Sequence, residues 1–188
     1  MVTMLNRAGP EIDLTWAIMG KPGVLAAFLL CCTLLGAGMW LVAGRLGWRR
    51  TPATLAAIGL SLAVAVTLVR SGGHLPDTGT NPVTLCLRDP FSLHGGLQVL
   101  NFLMLMPFAF FATLATRRPI SVSVLSAVIS GGVELTQGWT GLGVCQKQDF
   151  LNNTLGALVA AGAAWLLVTV IDSIHRNDQA QDRPLERV

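Results

Sequence analysis

The stretch Ile120–Ile171 decides the fold: ISVSVLSAVISGGVELTQ (120–137), GWTGLGVCQKQD (138–149) and FLNNTLGALVAAGAAWLLVTVI (150–171). The outer segments hold 18 and 22 residues, and only Glu134 in either carries a charge. A helix of about 20 apolar residues crosses about 30 Å of hydrocarbon, so each segment reads as a membrane span. The connection is short, so the two spans pack as antiparallel neighbours. Where they meet, the sequence turns polar, with Glu134, Gln137, Asp149, Asn152 and Asn153 close to one end of the hairpin.

Three further apolar blocks extend this pattern: Val24–Ala43, Ala53–Val69 and Leu97–Ala115. The 188 residues are 52% hydrophobic and only 12% charged, about half the charged share of a soluble domain. The expected fold is therefore all-α, a polytopic membrane protein with a bundle of about five transmembrane helices over residues 24–171. Residues 1–23 form an N-terminal segment. Glu11 and Asp13 argue against a signal peptide there, and Ile12–Met19, with Trp16, fits a short interfacial turn. Residues 172–188 read as a polar, poorly ordered cytoplasmic tail.

Helix punctuation is legible. Thr51-Pro52 reads as a cap with a first-turn proline, and Pro119 repeats the device. Pro107 inside the third span fits a kink that opens space between helices, the alternative being a tolerated proline with no role. Twenty glycines and abundant alanine suit close helix packing in lipid.

Orientation follows from the short connections. Gly44–Pro52 carries Arg45, Arg49 and Arg50, and Thr116–Pro119 carries Arg117 and Arg118, with no acid in either. The positive-inside rule puts both in the cytoplasm. The carboxyl terminus then lies inside, while the amino terminus, the long loop 70–96 and the loop 138–148 lie outside. Eight of the 13 Lys and Arg residues fall inside and five outside. Trp48 and Trp139 fall at the interfaces, as aromatic anchors do. The net charge of +3 is modest, and no basic patch with interleaved aromatics points to nucleic acid. Membrane lipids are the expected surroundings.

Cys31 and Cys32 sit inside the first span and read as packing residues. Cys86 and Cys145 fall in the two outer loops, where an oxidising exterior permits a disulfide. Such a bridge would contribute roughly 4 kcal/mol through the entropy of the unfolded chain. The alternative is two thiols that never meet. No cysteine or histidine spacing predicts a metal site; His74 and His94 are 20 residues apart. No cofactor is expected.

The polar cluster has two readings. Ser123, Ala127, Ser130, Glu134 and Gln137 share one face of the fourth span, and Asp149, Asn153, Gly156, Ala160 and Ala163 share one face of the fifth. Pairing by depth sets Glu134 beside Asn153 and Gln137 beside Asp149. On the structural reading, Asp149 caps the fifth helix and the amides join two helices. On the functional reading, Glu134 is the telling residue, because a carboxylate one turn inside a span is costly unless paired or protonated. Lys147 and Arg88 are candidate counter-cations. His74, Asp77, Arg88, Asp89 and His94 read first as solvated loop residues, and Asn101 lies near the top of the third span. Glu134 and Asp149 form a candidate acid/base pair, but no Gly-x-Ser-x-Gly, HExxH or phosphate-loop motif accompanies them.

At these positions the chain resembles the VanZ-like family of small bacterial membrane proteins. Glu134-x-x-Gln137, then Asp149, Asn153, Thr154, Leu155 and Gly156, follow its carboxy-terminal signature. Asn101 to Pro107 resembles its N-x-x-x-f-x-P helix, and Asp89-Pro90-Phe91 is similar to an upstream element. The resemblance covers about residues 90–171. Gly143 and Gln146 stand where family members often carry an Arg and an additional Asp, so a function that needs such a pair is not implied. The Cys86/Cys145 pair is a candidate local substitute for loop stabilisation. The resemblance implies action at the outer face of a bacterial plasma membrane. It also implies a link to resistance against teicoplanin-type glycopeptides, whose lipid tails make lipid-like ligands reasonable.

Three functions follow as expectations. The first is a binding or resistance factor whose outward notch, formed by Glu134, Gln137, Asp149, Asn152, Asn153 and Asn101, takes an amphiphile such as a lipid-linked precursor or an acylated antibiotic. The second is an enzyme on a lipid or cell-wall intermediate, with Glu134 as general acid or base beside Asp149. The third is a structural subunit whose polar cluster only locks two helices. No internal repeat or broken-helix pair supports a transporter.

Overall fold

A computed structural model describes residues 22–68, 96–140 and 145–182. They form six helices: α1 (Pro22–Leu46), α2 (Arg50–Leu68), α3 (Gly96–Met104), α4 (Met106–Thr116), α5 (Pro119–Thr140) and α6 (Lys147–Asp182). The α3–α4 pair makes one interrupted span, so five segments are long and apolar enough to cross a membrane. No strand occurs among the described residues.

Each short connection has a local cause. Gly47 has φ +69°, and the Trp48 N–H returns to the Ala43 carbonyl at 2.9 Å. This is a left-handed close to α1 of the kind glycine favours. Arg117 ends α4 in the same way without being a glycine, at φ 57°, with its N–H on the Thr113 carbonyl at 2.8 Å. Its guanidinium is tied to Asp172 of α6. Pro119 then opens α5 as its first residue.

The third span breaks at Leu105, whose φ and ψ are −91° and −4°, because Pro107 lacks an N–H and cannot continue the helical ladder. The expected opening of space does not follow. The bent backbone is received by two glycines instead. A Cβ on Gly59 of α2 would lie 2.8 Å from the Phe108 nitrogen, and one on Gly156 of α6 would collide with the Phe102 carbonyl.

α6 is the centre of the bundle, touching α3, α4 and α5, while α1 packs mainly on α2. The interior is built from small residues, among them Ala56, Ala109, Ala112, Ala157, Ala160 and Ala161. Large apolar side chains such as Leu34, Leu41, Val128 and Leu166 point outward, as they do when the surroundings are lipid.

Three expectations need correction. The buried stripe of α5 is Val122, Ser126, Ser130 and Glu134, so Ser123, Ala127 and Gln137 flank it. On α6 the buried arc is wider than one stripe and leaves Ala163 exposed, because three helices press on α6. The tail is also not irregular from residue 172. Helix α6 continues to Asp182, and its 36 residues give a rod of roughly 54 Å. No Gly or Pro interrupts residues 163–182, so the helix started in the membrane propagates beyond it. The interfacial turn expected at Ile12–Met19 lies outside the described residues.

Candidate functional site

The carboxylate at the heart of the cluster sits where α5 passes the start of α6. Glu134 is 5% exposed, and its Oε2 accepts the Gln146 backbone N–H at 2.8 Å. Gln146 immediately precedes α6, so Glu134 supplies an acceptor at a helix amino terminus. Donors lack intrahelical partners there, and the helix dipole favours an anion. The α6 chain closes on itself at this point, with the Asp149 and Phe150 N–H groups both on the Gln146 carbonyl at 3.1 and 3.2 Å. One turn deeper, the Ser130 hydroxyl donates to the Phe150 carbonyl at 3.4 Å across the same seam.

The expected pairing by depth is therefore displaced. Glu134 meets the backbone at Gln146 rather than the Asn153 amide. Gln137 turns away from α6, and its Nε2 donates to the Thr67 carbonyl at the end of α2 at 3.3 Å. Gln137 thus joins the hairpin to the first pair of spans. Helical periodicity identifies a face, but the axial offset of two helices depends on where each ends. Here α5 runs on to Thr140, three residues past Gln137.

Asn152 and Asn153 lie side by side on α6, fully buried and 2% exposed. The Asn153 Oδ1 finds no hydrogen-bond donor among the described residues. A buried amide oxygen left without a donor costs about 1–3 kcal/mol. Asn101 is half-buried on α3, the helix whose Phe102 carbonyl presses on Gly156. Glu134 thus sits at the start of α6, with Asp149 in the first turn of that helix and the buried Asn152 and Asn153 about one turn further along it. Gln137 borders the α5–α6 seam, and Asn101 belongs to the neighbouring wall.

Two residues that the sequence reading did not place in the site contribute to it. Gln146 acts through its backbone, which any residue but proline supplies and no side-chain pattern reveals. Gln148 is a buried polar residue in the first turn of α6, 8% exposed. Its nearness to Asp149 was the available signal. Cys145 is buried and disulfide-bonded, whereas Cys31 and Cys32 are free. Its expected partner Cys86 lies outside the described residues. So do Gly143 and the loop residues His74, Asp77, Arg88, Asp89 and His94.

At the opposite end the two arginine-bearing connections meet. The Arg49 N–H reaches the Ala115 carbonyl at 3.4 Å, and the Arg50 guanidinium lies 5.7 Å from the centre of the Trp40 ring.

No curated protein and no solved structure matches the chain. The family model described as VanZ/LLP1 matches residues 75–168, half of its length. The matched span contains Asn101, Pro107, Glu134, Gln137, Asp149, Asn153 and Gly156 and begins earlier than the resemblance at residue 90 implied. With its five apolar spans, this chain belongs to the VanZ/LLP1 family of membrane proteins.

Proposed function

We propose that the chain is a binding factor of the bacterial plasma membrane that takes an amphiphilic ligand at the Glu134 end of the α5–α6 seam. The ligand is a lipid-linked cell-wall precursor or a lipoglycopeptide antibiotic, and binding contributes to glycopeptide resistance or envelope homeostasis. The observation that carries this reading is the buried acceptor set: the Glu134 carboxylate at the start of α6, and the Asn153 Oδ1 with no donor among the described residues. Such a set favours a ligand whose polar part presents N–H or O–H groups, while the exposed leucines and valines around the bundle accommodate its apolar part. Membership of a family whose founding member is associated with teicoplanin-type resistance supports the same reading. The meeting of Arg45, Arg49, Arg50, Arg117 and Arg118 at the other end supports an outward notch, with the amino terminus outside and the carboxyl terminus in the cytoplasm. A Cys86–Cys145 bridge would tie the long outer loop to this end.

The test is Glu134→Gln, which keeps an oxygen for the Gln146 N–H and removes the charge. Cells expressing this variant at wild-type abundance are expected to lose protection against teicoplanin. Undiminished protection overturns the proposal.

One observation favours a second reading. The single hydrogen bond of Glu134 among the described residues holds a helix terminus, which is what a purely structural lock would do. On that reading Glu134→Gln leaves both stability and protection unchanged, whereas Glu134→Leu loses stability alone.

A further inference from the structure

Between α4 and α6, roughly 35 Å along α6 from Asp149, lies a cleft of about 210 Å³ lined by Thr113, Arg117, Trp165, Val168, Thr169 and Asp172. It is at the arginine-rich end, away from the Glu134 seam, so its interpretation does not depend on the proposed function. Its mouth is a fixed pair of opposite charges. Arg117 Nη1 and Nη2 donate to the two Asp172 carboxylate oxygens at 2.7 and 3.2 Å, with side chains 54% and 38% exposed. Its foot is apolar, with Val168 and Trp165 one and two turns deeper along α6. Its wall holds Thr113, whose side chain is fully buried. The hydroxyls of Thr116 and Thr169 each donate to the carbonyl four residues back. The Thr113 Oγ1 makes no hydrogen bond among the described residues.

The dimensions fit a boundary between headgroups and acyl chains. Phe150–Ile171 spans roughly 33 Å as a helix, so Asp172 is the first residue past the hydrocarbon. From Asp172 to Trp165 is about 10 Å along the axis. The volume falls short of the roughly 300–1,000 Å³ of a pocket for a drug-sized ligand, which suits a headgroup whose chains lie outside against exposed Leu166 and Val170.

The charges choose among headgroups. A guanidinium has five N–H donors, and Asp172 engages two, leaving three. The carboxylate oxygens of Asp172 keep lone pairs of their own. An anionic glycerol headgroup would face that carboxylate, and a choline headgroup has no N–H to give it. We propose that the cleft holds one phospholipid bearing a phosphoethanolamine headgroup. Its phosphate accepts from Arg117, and its primary ammonium donates to Asp172.

The full chain, purified in a mild detergent, is titrated with phosphatidylethanolamine, phosphatidylcholine or phosphatidylglycerol of identical acyl chains. Native mass spectrometry reads the occupancy of the tightest site. Wild type is expected to bind phosphatidylethanolamine roughly tenfold more tightly than either of the others, the scale of one charge-assisted hydrogen bond. Asp172→Asn is expected to bind phosphatidylethanolamine and phosphatidylcholine equally, and Arg117→Gln to weaken all three. Equal binding of the three lipids by wild type overturns the proposal, and that comparison needs no variant to fold. A preference for phosphatidylglycerol, or an unchanged preference in Asp172→Asn, overturns it as well.

Discussion

Replacing Gly156 by alanine tests the packing on which the seam depends. A single methyl at this position would collide with the Phe102 carbonyl oxygen, lie 2.8 Å from the carbonyl carbon and 3.4 Å from the Met106 Cγ. Two of these three atoms are backbone, so no side-chain rotation relieves the contact; α3 itself must shift. Overpacking of this kind costs about 1–3 kcal/mol, and a backbone obstacle argues for the upper part of that range. Alanine regains about 0.8–1.0 kcal/mol of helix propensity. The net expectation is a loss of about 1–2 kcal/mol. Gly162→Ala is the internal control, because its added methyl meets nothing within 4 Å and keeps the propensity gain. The assay is reversible unfolding of the purified chain in mixed micelles, followed by circular dichroism. Gly156→Ala is expected below wild type and Gly162→Ala at or above it. If Gly156→Ala equals or exceeds Gly162→Ala in stability, the close approach of α3 to α6 does not exist in the folded protein.

Two further outcomes follow from other contacts. Gln137→Leu removes the bond to the Thr67 carbonyl between α5 and α2; in the same unfolding assay it should lose about 0.6 kcal/mol, the mean for polar contacts between membrane helices, and a loss above about 2 kcal/mol would show that Gln137 holds more than this bond. For orientation, Trp139→Cys and Ser173→Cys are placed singly in a background whose Cys31 and Cys32 are replaced by alanine. An impermeant maleimide applied to intact cells should label the first and spare the second, and the reverse pattern would invert the proposed topology.

Much of the fold was written in local signals. The length of each apolar block, the arginines between them and the lone Pro107 give five spans and the position of the broken one. The end of the α5–α6 hairpin was equally plain from Glu134, Gln137, Asp149 and the paired asparagines. The partners were not. Glu134 bonds a backbone N–H, and a sequence carries no record of which peptide group will be available. Gln137 reaches α2, a helix 70 residues away in the chain, because the bundle sets the third dimension that a two-helix argument lacks. The displaced stripe on α5 has the same origin. Its small residues spread over a broad arc, and only contact with α6 selects Ser126 over Ser123. The continuation of α6 was available in principle, since residues 163–182 contain no Gly or Pro, but residues 172–182 are polar and fall outside the apolar block that marks the span.

The alanine interior has a consequence for how the bundle comes together. Alanine has no side-chain rotamers to lose, so docking these rods freezes almost no side-chain freedom. Bulky residues on the lipid flank keep their torsional liberty after assembly. Association then rests on dispersion between closely apposed backbones, a force that loses about a quarter to a half of its strength over a gap of about 0.5–1 Å. A seam of this sort tolerates sliding poorly, and ligand-driven motion is expected as whole-helix tilting about Leu105 rather than as side-chain rearrangement inside.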